Sequence, residues 1–259
     1  APLFDEYDAI FKSLFYDKHT FHRQIVDVLC SKQSGFTITE LGVIIDKEQS
    51  DPTNKKLRNA IAELVDTGFI TPLNKLHNKT RETKYIISDH FCLFHYKWVR
   101  ELSKNDIVSM KNHFTNILSS QSYTIWCGFV FEIVMMINID LYVQKRGLSA
   151  LYKNVTYWQY IANPNIEDDK GAQIDMVIEY ENNIYDIVEC KYYNDEFTIT
   201  KEYADNLRHK VSKFKEYGIK QKMRYDLKLV MLTTYGSKKN SHFNALNIAS
   251  DITLGDLID

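Results

Sequence analysis

Two strand-like runs separated by three residues set the tightest limit on what this chain can become. Gln173 to Tyr180 and Ile184 to Tyr192 are rich in Ile, Val and Tyr, and only Glu181-Asn182-Asn183 lies between them. So short a connection makes the pair an antiparallel hairpin. Residues two apart in a strand share a face. Glu189 and Lys191 therefore point one way, and Val188 and Cys190 point the other way, into the core. The hairpin can bring Asp175, in Gln173-Ile174-Asp175-Met176-Val177, beside Glu189, fourteen residues on. Two carboxylates on adjacent strands form a hard-oxygen site suited to Mg²⁺ or Mn²⁺. A lysine two residues beyond one of them can orient a water nucleophile or stabilise charge on a phosphoryl group. Plainer roles fit the same residues: Asp175 as a turn cap, and Glu189 with Lys191 as a surface cross-strand pair.

The neighbouring segments place that hairpin in a sheet. Val155 to Tyr160 reads as a strand before it. A long helix follows over about Thr200 to Tyr217, then a strand over Leu227 to Thr234. Asn247 to Ser250 reads as a short edge strand, and Thr253 as the cap of a last helical turn. Ahead of them, Tyr123 to about Tyr142 reads as one long apolar helix. This order predicts a mixed sheet flanked by helices. Glu132 stands in that apolar helix, within Phe129-Val130-Phe131-Glu132-Ile133-Val134-Met135. A carboxylate there costs free energy unless a metal, a lysine or a tyrosine compensates it.

The first half is patterned for helices. Leu3 to Phe15 alternates aromatic and acidic residues and reads as a short surface helix. Phe21 to Leu29 carries Ile25, Val28 and Leu29 on one stripe. Thr37 or Thr39 can cap a third helix, and Glu40 can complete a capping box with Thr37. The next helix is predicted with Asp51 as N-cap and Pro52 at its first position. Its apolar face is Leu57, Ile61, Leu64 and Val65, and Gly68 stops it. Two strand-like runs follow, Phe69 to Leu73 and Lys84 to Ser88, joined by the basic loop 74–83. Three helices and a hairpin with a basic tip predict a winged helix, a helix-turn-helix variant. Lys55, Lys56, Arg58 and Asn59 on the helix, with Lys75, Lys79 and Arg81 on the wing, are the candidate DNA contacts. A third basic run, Arg208 to Arg224, follows the hairpin. All three basic groups can equally be solvated faces, and a winged helix can equally dock a protein. The domain boundary falls near Leu102–Asn105, giving 1–102 and 103–259.

Together these features resemble the PD-(D/E)xK nuclease superfamily, the restriction-endonuclease-like fold. The resemblance implies Glu132 as the helix glutamate, Asp175 as the central aspartate, and Glu189 and Lys191 as the E-x-K pair. It also implies the Cys190 carbonyl as a backbone ligand and Mg or Mn as cofactor. The proline that the family places before its aspartate is Ile174 here. More widely, the Gly35–Leu41 run, the Gly68-Phe69-Ile70 turn and Tyr85 to Phe91 resemble the C-terminal half of a family of archaeal and bacterial AAA-type ATPases. In that family a P-loop ATPase precedes a winged helix and a nuclease-like domain. An ATPase domain is then an expected partner. The 259 residues contain no G-x-x-x-x-G-K-[ST], so no nucleotide site is expected in them.

Bulk properties narrow the alternatives. With 32 Lys and Arg against 34 Asp and Glu, any nucleic-acid surface must be a local patch. Four scattered cysteines, without C-x-x-C, argue against a zinc knuckle or a disulfide framework. They fit reduced thiols and a cytoplasmic setting. Ile125 to Ile139 is too short and too interrupted to span a membrane, and is expected as a buried core helix. His19 and His22 lack a third ligand at metal spacing. The chain begins without methionine or a signal peptide and reads as an excised or processed piece.

Overall fold

A computed structural model describes residues 2–45, 54–77, 82–102 and 113–258. The chain divides into two compact units, Ala1–Asn74 with Asn78–Ile133, and Lys75–His77 with Val134–Asp259. It is a mixed α/β protein, with three paired strands early in the sequence and five in the second unit.

The early elements are α1 (Pro2–Phe15), α2 (His19–Cys30), β1 (Phe36–Thr37), α3 (Ile38–Ile45), α4 (Lys55–Asp66), β2 (Ile70–Lys75), β3 (Lys84–Ile87), α5 (His90–Trp98), α6 (His113–Leu118) and α7 (Gln121–Ile137). β3 pairs antiparallel with both β1 and β2. α1 is more than a surface helix. Its Tyr7, Phe11 and Phe15 recur every four residues and are buried, with the Phe11 ring tilted against Phe69 at 4.9 Å. Asp5, Glu6 and Asp8, of which the first two are exposed, crowd the start of this stripe and mask it in the sequence. Gly35 has φ +67°, and a Cβ there would lie 2.3 Å from the Tyr85 carbonyl oxygen. Only glycine allows β1 to approach β3 this closely.

The capping box is formed: the Thr37 N–H donates to Glu40 Oε2 at 2.7 Å, and the Glu40 N–H to Thr37 Oγ1 at 3.3 Å. α4 buries Leu57, Ala60, Ile61 and Leu64, while Val65 is half-buried. Its cap is Asn54, not Asp51. Asn54 Oδ1 accepts the Leu57 N–H at 2.9 Å, and residues 51–53 lie outside the described ones. Asn54→Ala is therefore expected to cost about 1 kcal/mol. Urea unfolding with an unchanged midpoint would show that the cap does not matter.

In the second unit, α7 ends at Ile137 and α8 (Ile139–Lys145) restarts after Asn138. The expected single helix is thus broken. Asn138 has φ −106° and ψ 36°, and its side-chain amide donates to the Val134 carbonyl at 2.8 Å, competing with the helical ladder. The expectation of a buried helix holds only in part. Phe131, Ile133 and Met135 are buried, whereas Ile125 is exposed. Among the described residues no single helix is long and apolar enough to cross a membrane.

The sheet follows as β4 (Tyr152–Tyr160), β5 (Ala172–Tyr180), β6 (Ile184–Lys191), α9 (Lys201–Lys220), β7 (Asp226–Thr233), α10 (Ser241–Asn244), β8 (Ser250–Thr253) and α11 (Gly255–Ile258). β4, β5 and β6 form an antiparallel meander, and β7 and β8 add in parallel. The edge strand lies three residues beyond its expected start. Thr253 caps α11, accepting the Asp256 N–H at 3.1 Å.

β6 is buried from Tyr185 to Cys190, on both faces. One face, Tyr185 and Ile187, packs with Phe214 and Tyr217 of α9 and with Trp158 and Val177 of the sheet. The other carries Asp186, which is fully buried. Asp186 accepts two bonds from the Arg146 guanidinium at 2.9 and 3.0 Å. It also accepts the hydroxyls of Tyr142 at 2.8 Å and Tyr180 at 3.0 Å.

Candidate active site on the β5–β6 hairpin

The turn residues Asn182 and Asn183 both adopt φ 59°, a conformation asparagine tolerates better than most residues. They set the register Glu179 opposite Tyr185 through Met176 opposite Val188. The ladder stops there. Continued one step, this register would set Asp175 against Glu189, whose charge acts on it. Asp175 Oδ2 accepts the Cys190 N–H at 2.9 Å.

Glu189 is only 2% exposed. Its Oε1 accepts the Tyr203 hydroxyl at 2.7 Å and lies 3.1 Å from Lys191 Nζ. Its Oε2 accepts Lys210 Nζ at 2.7 Å. The simple surface pair expected as an alternative for Glu189 and Lys191 is therefore replaced by a buried, three-donor cluster. Asp175 is likewise no turn cap. The Cys190 thiol is buried in the core, as its strand position implies.

Lys210 and Tyr203 were not singled out as site residues by the sequence; Lys210 read as one of a solvated basic run. The signal was present in the helical spacing. Tyr203, Leu207, Lys210, Phe214 and Tyr217 recur at three- and four-residue intervals, and Leu207 and Phe214 are buried. Lys210 thus sits mid-stripe on the sheet-facing side, where a lysine must find an anion. Lys213 also turns to a partner, bonding Asp169 Oδ1 at 2.7 Å, while the Tyr160 hydroxyl bonds Asp169 Oδ2 at 2.5 Å. These contacts hold the Asp169 carboxyl well below the usual carboxylate range.

The two site carboxylates are driven apart in acidity. Burial raises Asp175 from its ordinary 3.8 to about 6, and the charge on Glu189 adds to this. Burial also opposes ionisation of Glu189, but Lys191 and Lys210 outweigh it, so its pKa falls below the ordinary value. Folded Asp175 therefore holds its proton more tightly than the unfolded chain does. The stability it contributes is complete below about pH 4 and is lost as the pH rises through about 6. In metal-free buffer, Asp175→Asn is expected to raise stability at pH 8 by an amount of order 1–3 kcal/mol. The gain should vanish near pH 4. Thermal melts at the two pH values check this, and an equal change at both would refute it.

Glu132 belongs to the first unit, where it is half-buried on α7. Among the described residues, no three His, Cys, Asp or Glu side chains gather into a group that could hold a metal ion. The candidate DNA contacts divide. Lys55, Lys56, Arg58 and Asn59 are exposed on α4, with the Lys56 ammonium 4.1 Å above the Phe21 ring. Lys56 and Asn59 line an open groove of about 530 Å³ with Lys18, Phe21, His22 and Glu63. His22 is buried there, bonded to Glu63 Oε2 at 2.7 Å. Lys75 is half-buried at the end of β2, and Lys79 and Arg81 lie outside the described residues. All four cysteines are free thiols. Compared with known proteins, the chain matches no family model and has no significant match to a curated protein or a solved structure.

Proposed function

We propose that this chain is a DNA-interacting module whose second unit is a restriction-endonuclease-like, Mg²⁺- or Mn²⁺-dependent phosphodiesterase. The observation that carries the reading is Asp175 set against Glu189 on adjacent strands, with Lys191 on the Glu189 side chain. The first unit is read as a winged helix, with α4 presenting Lys55, Lys56, Arg58 and Asn59 to DNA. The resemblance in sequence also points to an AAA-type ATPase domain as the partner, in a cytoplasmic setting.

The carboxylates suit the cofactor. Both offer hard oxygens, and the raised pKa of Asp175 reflects burial and negative charge that a cation would relieve. Asp175 and Glu189 would hold the ion; when bound, it supplies positive charge for a phosphoryl oxygen. The remaining work falls to the side chains. Tyr203 fixes the orientation of Glu189 through its hydroxyl. Lys210, only 15% exposed, keeps Glu189 ionised. Lys191 is more exposed and can carry its ammonium toward an attacking water and the phosphate.

Addition of Mn²⁺ or Mg²⁺ is expected to raise the melting temperature, by about 2.7 kcal/mol of stabilisation at a hundredfold excess over Kd. Glu189→Gln should abolish the effect while leaving the protein folded. A folded parent whose melt ignores both ions removes the metal site. One observation favours a second reading, a catalytically inactive fold that docks a protein partner: Glu189 is already neutralised by two ammonium groups. That reading predicts no metal-dependent cleavage of any phosphodiester.

A further inference from the structure

Beyond Lys191, β6 runs into a loop held unusually firmly for an exposed segment. Tyr193 N–H donates to Thr234 Oγ1 at 2.9 Å, and the Thr234 hydroxyl donates back to the Tyr193 carbonyl. Thr234 N–H donates to the Lys191 carbonyl at 3.2 Å, Phe197 N–H to the Gly236 carbonyl at 2.8 Å, and Lys238 N–H to the Phe197 carbonyl at 2.9 Å. The segments after β6 and β7 are thus zipped together. The parallel ladder itself ends at Lys191 opposite Thr233, and the Tyr193 main chain is then bonded to Thr234, the residue before Tyr235.

These two tyrosines are 50% and 63% exposed. They are not isolated from the site. Tyr203, bonded to Glu189, packs 5.0 Å from Phe197, which packs 6.1 Å from Tyr193. An aromatic path therefore leads from the Glu189 carboxylate to the exposed Tyr193 ring, and Tyr235 is exposed on the neighbouring segment. Along the strand the separation from Glu189 to Tyr193 is about 13 Å, a span of a few nucleotides.

We propose that Tyr193 and Tyr235 form a base-stacking subsite for single-stranded nucleic acid leading into the Asp175–Glu189 site. The inference rests on the phosphodiesterase reading, which is what brings a nucleic acid to this end of the sheet. Its physical basis is access. In a duplex the base faces are covered by their neighbours, so exposed rings stack only on unpaired or splayed bases. Hydrogen bonds that fix the backbone of both segments reduce the ordering that binding requires. Local charge does not substitute for stacking. Lys238 is exposed, but Asp195 and Glu196 are exposed on the facing loop, and Lys239 is paired with Asp251. Binding at this subsite is accordingly dominated by ring faces and depends little on salt.

The test uses the full chain in EDTA, with a fluorescein-labelled twelve-nucleotide oligo(dT) and a blunt twelve-base-pair duplex, read by anisotropy. Any duplex binding by the basic α4 face should be indifferent to the tyrosines, and the parent is expected to bind the single strand. Tyr193→Ala with Tyr235→Ala should weaken that binding by about 10- to 100-fold, since stacking is worth about 1–3 kcal/mol per base. Tyr193→Phe with Tyr235→Phe should keep it, which separates loss of a ring from loss of fold. Hydrolysis of bis(p-nitrophenyl) phosphate by the parent in Mn²⁺ tests the catalytic reading separately. Diester hydrolysis with strand binding indifferent to both alanines overturns the subsite and keeps the catalytic site. Tyrosine-dependent strand binding without diester hydrolysis keeps the subsite and overturns the catalytic reading. Strand binding indifferent to both alanines, with no diester hydrolysis, overturns both readings.

Discussion

Replacing Asp186 with alanine is expected to destabilise the protein by about 3–5 kcal/mol, the cost of breaking a buried ion pair from one side. The carboxylate is fully buried, and its partner Arg146 is only 14% exposed. Removing Asp186 leaves a guanidinium with two unmet donors and strips the acceptor from the hydroxyls of two fully buried tyrosines, Tyr142 and Tyr180. Each orphaned donor carries its own desolvation penalty. Urea unfolding followed by circular dichroism measures the loss. Arg146→Met combined with Asp186→Leu should cost clearly less than the sum of the single changes, because no charge is left behind. An Asp186→Ala midpoint within experimental error of the parent would mean that water reaches Arg146 and the cluster contributes little.

The second large effect is functional. Lys191→Ala is expected to reduce Mn²⁺-dependent phosphodiester cleavage by about 10²- to 10³-fold. The fold should persist, because Glu189 keeps its bonds to Lys210 and Tyr203. The two lysines are therefore separable by experiment. Lys210→Met removes the less exposed ammonium and should lower the melting temperature more than Lys191→Ala does. Lys191→Ala should lower turnover more than stability. Melts and single-turnover cleavage on the same preparations provide the comparison. A Lys191→Ala protein that cleaves at the parent rate excludes Lys191 from the chemistry, whatever its effect on stability.

Much of this architecture was legible because it depends on local pattern. The three-residue turn after Tyr180 leaves a hairpin as the only short connection, and period-two alternation then puts Glu189 and Lys191 on one face. The Thr37–Glu40 box, the Thr253 cap and the α4 stripe are also local: each couples residues within one or two helical turns. Asn54 shows the limit of that reading. Asp-Pro is a strong start signal, yet cap identity depends on which side chain reaches a free N–H, and here Asn54 bonds Leu57.

Contacts between distant segments decided the rest. The sequence determined that Asp175 and Glu189 would stand on neighbouring strands with Lys191 beside Glu189. It could not determine what else Glu189 would meet. Tyr203 and Lys210 arrive on a helix placed by Leu207 and Phe214 against the sheet; helical spacing puts Lys210 on that stripe, but nothing in one dimension names Glu189 as the anion it meets. The same holds for Asp186, whose partner Arg146 lies forty residues away in the chain. The break at Asn138 is hidden too, because an apolar run has the same composition whether straight or bent. Hydrogen-bond geometry and burial, which exist only after folding, determine which charges are paired and hence which carboxylate holds its proton.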